Sequence, residues 1–554
     1  MRSVWLVAIS SRCLLANLVS RCVLTDRNRH DREHLSLTGS IEQAPAQIDQ
    51  PARWAGDLSG VGVRRTILKV VGAGGATAAL CLALQVVRNK VLASWLGPAG
   101  MGYWFLVQSL GSTLTALCFL GLSSGLSTVT AFRWSAGDRR GVRRLVQGCT
   151  VAVLAASLIP LLLLGPFPRK MAGLCLGSPD AGPILFLILL MNPVVNVGFI
   201  YASVMQGLFL VRAQCILGFS TYVVATAFCI AGAAWWGANG VAVGWVLSGF
   251  SGTVFSFVVV NHSLREPRGM EDRARGNPGG HLRAFEETVR ELLPYSASTM
   301  LSVWVTGVVT LASRSLLVNS AGLTDMGFYA TVTGIAGTVL LLIQSALGMY
   351  AVPQTAAVSG DSNELWALLG SLGRLAAVLM HGPLLALILF GEWVLSLLFS
   401  PSFARAAPLL PYVAWATCFQ MAGWLFVLAN NARSSPGRSS VARVVEAVMT
   451  LGAFFLLVPP LGALGACLAY AIGSGTFLLT LLLLQPRQWW LGAVRGRRTV
   501  ATWVLMMVSL LAATRHTSVN VVVCLLSLLT VLFVATSGPE RRRVISAVAV
   551  RFGF

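Results

Sequence analysis

Three cations and a few amides stand where the chain is otherwise apolar. Arg88, Asn89 and Lys90 close one hydrophobic run, Arg314 lies inside another, Asn192 and Asn196 interrupt a third, and Gln420 sits midway along a fourth. An arginine left in hydrocarbon costs about 2.5–3.5 kcal/mol on insertion scales, so such residues usually serve a site. A guanidinium suits a phosphate-bearing anion because it donates paired, charge-assisted hydrogen bonds in a planar fork. Arg88 precedes Gly97 by nine residues and Arg314 precedes Gly322 by eight. If helix persists to each glycine, both lie roughly 12–13 Å below it at about 1.5 Å per residue. That depth has them facing each other across a central axis. In the competing reading, a span over 66–87 is already long enough, and Arg88 and Lys90 snorkel from its end. The amides likewise divide between contacts to a polar cargo and glue between helices. His381 is a lone histidine, and Glu446 is one turn from Arg443 and placed to pair with it.

Other chemistries lack their residues. The eleven cysteines form no CxxC pair or Cys/His cluster, which leaves neither a disulfide framework nor a zinc site. No Gly-Lys-Ser/Thr loop is present to cradle a nucleotide. A polysaccharide polymerase, ligase or membrane acyltransferase would show a long external loop or a His/Asp/Arg cluster, whereas the longest outer loop here is about 166–181. The chain therefore reads as a non-enzyme without a cofactor, with proton or sodium coupling an open alternative. The predicted outer halves of the spans offer no acid placed to bind a cation; Asp180, Asp325 and Glu392 fall in turns or at helix ends.

The cations are positioned by a repeat. Gly97-Pro98-Ala99-Gly100-Met101-Gly102-Tyr103-Trp104 matches Gly322-Leu323-Thr324-Asp325-Met326-Gly327-Phe328-Tyr329 at an offset of 225 residues. The same offset lays Gly237-Ala238-Asn239-Gly240 on Gly462-Ala463-Leu464-Gly465, Trp245 on Tyr470, Thr113 on Thr338 and Pro183 on Pro408. Hydrophobic residues make up 56% of the 554, charged residues 11%, and the mean hydropathy is +0.74, values that fit a polytopic membrane protein.

Apolar runs near the 20 residues needed for a span occur at 66–87, 103–131, 146–165, 182–206, 213–236 and 239–261. Six more follow at 294–318, 326–350, 371–391, 408–429, 440–460 and 462–484, then shorter ones at 499–514 and 519–536. The expected fold is all-α: two six-helix bundles related by a pseudo-twofold along the membrane normal, plus two C-terminal helices, about 14 in all. The corresponding segments are a disordered tail over 1–62, a first bundle over 63–261, a linker over 262–293, a second bundle over 294–486, two added helices over 487–540 and a basic end over 541–554. A surface helix over 282–293 is one reading of the linker. Most of the 41 Lys and Arg fall on one side of these spans if both termini are cytoplasmic. The net charge of +21 thus faces anionic inner-leaflet lipid, with no stripe or patch to suggest nucleic acid. Pro160, Pro193 and Pro383 are candidate kinks, and Gly473-Ser474-Gly475 a close-packing stretch.

Arg88-Asn89-Lys90, then Leu96 to Gly102, then an amphipathic stretch from Gln108 to Gly125, resembles the Wzx-type polysaccharide and O-antigen flippases. These belong to the multidrug/oligosaccharidyl-lipid/polysaccharide exporter superfamily. The resemblance runs from residue 66 to about 540. It implies an inner-membrane protein that moves an undecaprenyl-diphosphate-linked oligosaccharide from the cytoplasmic to the periplasmic leaflet, alongside glycosyltransferases and a polymerase. The related lipid II flippases carry an Arg-Asp pair where this chain has Arg88-Asn89, so any ion-coupling role of that position loses its acid here. A cation-coupled multidrug exporter of the same superfamily is the alternative.

Overall fold

The computed structural model describes residues 61–485 and 497–513, apart from 120, 265–279, 359 and 434. The tail through residue 60, the centre of the 262–293 linker, the 519–536 run and the 541–554 end lie outside these residues. All regular structure among the described residues is helical, and ten of the helices are long and apolar enough to cross a membrane. Helices suit that setting because each satisfies its own backbone polar groups in hydrocarbon.

The first half holds α1 (Val61–Cys118), α2 (Leu122–Ser135), α3 (Arg139–Leu164), α4 (Pro168–Leu176), α5 (Gly182–Gly207) and α6 (Val211–Ser263). The second holds α7 (Gly280–Ala321), α8 (Leu323–Ala357), α9 (Ser362–Leu389), α10 (Gly391–Leu398), α11 (Leu410–Ala432), α12 (Pro436–Leu461) and α13 (Ala463–Leu483). A last helix, α14 (Arg497–Ala513), packs on α9 and α11. Residues 282–293 are helical and continuous with the span that follows them in α7.

The repeat is written in the backbone. Gly97 (φ 65°), Gly237 (φ 59°), Gly322 (φ 89°) and Gly462 (φ 55°) all adopt the left-handed conformation that favours glycine. Gly97 and Gly237 break α1 and α6 internally, and each of those helices folds back there as two limbs. At the second break Gly232 and Gly240 meet backbone to backbone, and the Cys229 thiol points at the Val241 carbonyl 3.7 Å away. Gly322 separates α7 from α8, and Gly462 separates α12 from α13. The second-half reversal is also capped: the Asp325 carboxylate accepts from the Ala463 amide at 2.9 Å, neutralising an orphan donor of α13.

These four turns share one side of the protein, called here the turn face. Exposed Phe167, Trp235, Trp236 and Trp393 gather there, as aromatic side chains do at a membrane interface. The short helices α4 and α10 occupy equivalent places in the two repeats. The opposite face carries the exposed Arg139, Arg140, Arg143 and Arg144 around the start of α3, which Asp138 caps through the Gly141 amide at 2.7 Å.

Burial is unevenly shared between the two faces. On the turn face one apolar core runs through both halves, joining Leu92, Trp104, Leu106 and Leu185 to Leu317, Met326, Phe403 and Phe454. Toward the basic face, each buried cluster among the described residues belongs to one half. Leu126, Val142, Val204 and Val260 form one, while Leu365, Leu369, Leu428 and Ala429 form another. The halves are sealed together on the turn face and cored separately on the other.

Span boundaries depart from expectation where the cations lie. The first limb of α1 continues to the Gly97 turn, past residue 87, so Arg88, Asn89 and Lys90 are inside helix and not at a span end. The expected 103–131 span is broken, with Gly121 at φ 65° between α1 and α2. Pro160, Pro193 and Pro383 are accommodated within unbroken helices.

Gly97 and Gly322 have no atom near a would-be Cβ, so alanine there meets backbone strain alone. Each Gly→Ala change should destabilise by about 1–2 kcal/mol, the left-handed penalty for an L residue. Gly334→Ala, in open space within α8, should instead gain about 0.5–1 kcal/mol. Thermal unfolding of the purified protein in detergent should place Gly97→Ala and Gly322→Ala below the parent and Gly334→Ala above it.

Candidate functional site

Arg88 projects from the first limb of α1 into the first half and is 6% exposed. Its guanidinium carbon lies 6.0 Å from the ring centroid of Trp104, on the returning limb of the same helix. Trp104 in turn meets Trp245 edge to face, with ring centroids 5.9 Å apart. The second limb of α1 admits that ring only because position 111 is glycine; a Cβ there would overlap the Trp245 six-membered ring. Among the described residues Arg88 has no hydrogen-bond or ion-pair partner, and its Nε is buried without one. The Oδ1 of Asn89 is also buried and unbonded. The Trp104 face offers a cation–π contact that uses none of the guanidinium donors.

Arg314 plays a different part. It reaches from α7 across to the first half, donating to the Phe105 carbonyl at 3.3 Å and to the Ser109 hydroxyl, while its Nε stays unbonded. Tyr329 and Tyr470 lie within its electrostatic reach. These tyrosines are the repeat mates of Trp104 and Trp245, and in each half the first of the two lies by an arginine of the first helix. The register slips by one: Arg314 matches Asn89, and Arg88 matches Ser313, whose hydroxyl is buried and unbonded. The two arginines therefore do not face each other across an open gap. They approach the same stretch of α1, Trp104 and Phe105, from inside the first half and from the second half.

Lys90 is committed elsewhere. Its ammonium donates to the Ser396 carbonyl at 2.7 Å, near the C-terminal end of α10, where a cation is favoured by the helix dipole. Asn192 bridges α5 to α1, accepting from Thr115 and donating to the Cys118 sulfur, both at 3.3 Å. Asn196 donates to Ser157 of α3 at 3.2 Å and leaves its Oδ1 unbonded. Both are fully or nearly fully buried and tie helices of one half together.

Gln420 belongs to a compact polar network inside the second half. Its amide donates to Glu446 and, at 3.2 Å, to Ser474, and its Oε1 accepts from Arg443 at 3.0 Å. Arg443 also pairs with Glu446 at 2.8 Å, and its guanidinium stacks 3.8 Å from the Phe477 ring. Glu446 thus pairs locally, as the i,i+3 spacing suggests, and recruits an amide from α11 as well. An apolar cavity between α9, α11, α13 and α14, walled by Trp366, Phe426, Trp503 and Met507, lies in the second half and offers almost no polar group.

Trp104, Ser109 and Ser474 were missed as polar or aromatic partners. Trp104 had a signal: it and Tyr329 end the two copies of the turn motif. Ser109 and Ser474 had none, because serine is common in membrane helices and only the packing gives these two a partner.

No family model matches the sequence, and no curated protein does. Solved structures do share its fold. An inward-facing multidrug resistance transporter of the MATE family of the MOP superfamily is similar with a TM-score of 0.56 at 18% identity, over 76% of this chain and 95% of the other. A MOP superfamily transporter from Pyrococcus furiosus gives 0.53 at 15% identity, over 78% and 96%. The lipid II flippase MurJ, in an inward closed conformation, gives 0.53 at 12% identity, over 85% and 99%. At these identities the shared property is the fold of two membrane-embedded helical bundles.

Removing one member of the network strands the other. Arg443→Met should cost about 3 kcal/mol, at the low end for breaking a buried pair because Arg443 keeps 31% exposure. Adding Glu446→Leu should recover most of that loss. A double-mutant cycle on thermal stability in detergent gives the coupling directly.

Proposed function

We propose that this chain is a flippase that carries a polyprenyl-diphosphate-linked oligosaccharide, an O-antigen or exopolysaccharide repeat unit, from the cytoplasmic to the periplasmic leaflet by alternating access. The bundles over 63–261 and 294–486 are the moving units. The basic face is the cytoplasmic side and the turn face the periplasmic side, so both termini are cytoplasmic. The observation that carries this reading is Arg88, a buried guanidinium whose Nε is unbonded and which has no acid paired with it among the described residues. Such a group is costly in a lipid-facing protein unless an anion visits it, and a diphosphate satisfies its planar fork.

On this reading the residues divide the labour. Arg88, with Asn89 beside it, takes the diphosphate; Arg314 exchanges its contacts to Phe105 and Ser109 for the same anion when the halves part. Asn192, Asn196 and Gln420, already bonded within their halves, hold the bundles in shape. The lipid tail stays in the bilayer, and only the headgroup needs shelter.

A cation-coupled multidrug exporter is favoured by one observation, the buried carboxylate of Glu446. That acid is already paired with Arg443 and bonded to Gln420, so a cationic drug would have to displace an arginine. Transport of cationic dyes by the purified protein, unaffected by Arg88→Ala, would favour the exporter.

Arg88→Ala should lower translocation of a fluorescent polyprenyl-diphosphate glycan in proteoliposomes about 10- to 100-fold. That range corresponds to the 1.5–3 kcal/mol typical of a hydrogen bond to a charged group. Arg88→Lys should retain part of the activity, since charge survives without the fork. Wild-type rates in Arg88→Ala at equal membrane abundance would remove this assignment.

A further inference from the structure

We propose that the turn face is held shut by a reciprocal glycine–carbonyl seam on the pseudo-twofold axis, Gly102 against Leu323 and Gly327 against Pro98, and that parting this seam is what opens that face. Gly102 and Gly327 are repeat mates at the 225-residue offset, and so are Pro98 and Leu323. A Cβ added to Gly102 would overlap the Leu323 carbonyl oxygen and come 2.8 Å from the Gly327 amide nitrogen. A Cβ added to Gly327 would overlap the Pro98 carbonyl oxygen and come 3.3 Å from the Gly102 nitrogen. Residues that touch their own symmetry mates lie on the axis relating the halves. The returning limb of α1 and the start of α8 therefore meet there with no side chain between them, the approach that small residues permit in membranes and that Cα–H···O contacts support.

The surroundings are those of a gate. Along the same limb of α1, at increasing depth, come the bonds from Arg314 to Phe105 and Ser109, then the Thr113 hydroxyl donating to the Gly307 carbonyl at 3.1 Å. Lys90 adds a further tie between halves through the Ser396 carbonyl. The limb ends at the left-handed Gly121, which separates it from α2; α2 packs with α5 of its own half and also with α7 of the other. The shared apolar core is confined to this face, while the described clusters of the other face are separate. Glycine–carbonyl contact is tight in shape yet free of interlocked side chains, which lets it form and part repeatedly. The gate requires that the halves move against one another, and it holds for any cargo.

Gly102 and Gly327 are both helical, so alanine suits their local backbone and only the seam opposes it. Spin labels at Trp235→Cys and Trp393→Cys, exposed on the turn face of opposite halves, report the opening by pulsed electron spin resonance. The background is the full chain with Cys13, Cys22, Cys175, Cys215 and Cys524 replaced. Gly102→Ala or Gly327→Ala should each move the main population to a longer distance. The double variant should move it little further, because both relieve one contact, and Gly334→Ala should superimpose on the parent. Either folded seam variant suffices. A distance distribution unchanged from the parent overturns the gate, as does loss of monodisperse protein in both variants, which would make the contact a requirement of folding. The readout needs no substrate, so a failed flippase assignment leaves it intact.

Discussion

Membrane helices that reverse direction within two or three residues must do so without exposing unpaired backbone to hydrocarbon. Here that constraint is met by a left-handed glycine, used at Gly97, Gly237, Gly322 and Gly462 in strict repeat register. The tight reversal at Gly97 brings Trp104 back over Arg88, and the reversal at Gly322 brings Gly327 onto Gly102. A looser loop at either place would leave the arginine without its aromatic neighbour and the halves without their axial contact. The turn is therefore the element from which both the candidate site and the interface are built.

Duplication explains the layout and its departures explain the chemistry. Each half places an arginine of its first helix near aromatic side chains at repeat-matched positions, Trp104 for Arg88 and Tyr329 with Tyr470 for Arg314. The one-residue slip sends Arg88 inward and Arg314 across to the other half. A second departure is Asp325, whose mate is Gly100; it caps α13 in the second half, whereas in the first the Tyr103 hydroxyl donates to Asn239 at 2.9 Å. Similar backbones thus carry unlike side chains, and the protein is repeated in architecture but polar in different places.

The fold was legible because hydropathy and glycine spacing are local signals, and the offset of 225 located all four reversals. The depth of Arg88 was legible only as a choice between an extended helix and a snorkelling end, since apolar length alone does not say where a helix stops. Its partner Trp104 lies sixteen residues on and is brought close only by the fold-back. The roles of Lys90 and Gln420 were illegible for the same reason: Ser396 is 306 residues from Lys90, and Glu446 and Ser474 reach Gln420 from two other helices. Polar side chains in a membrane declare that a partner exists, and packing alone says which.

A carrier of the kind proposed would also have to manage its cations when no anion is bound. Arg314 does so by bonding across the closed seam, so the cost of its charge is offset in the same state that needs the halves held together. Arg443 has a counter-ion in Glu446. Arg88 is left with the weaker compensation of an aromatic face. The three arginines thus form a graded set, one paired with a carboxylate, one bonded across the halves and one set against a ring. An anion drawn first to Arg88 would next compete for Arg314, and winning that competition loosens the very contacts that keep the turn face shut. Under the proposed function, cargo binding and opening would be coupled through Arg88 and Arg314.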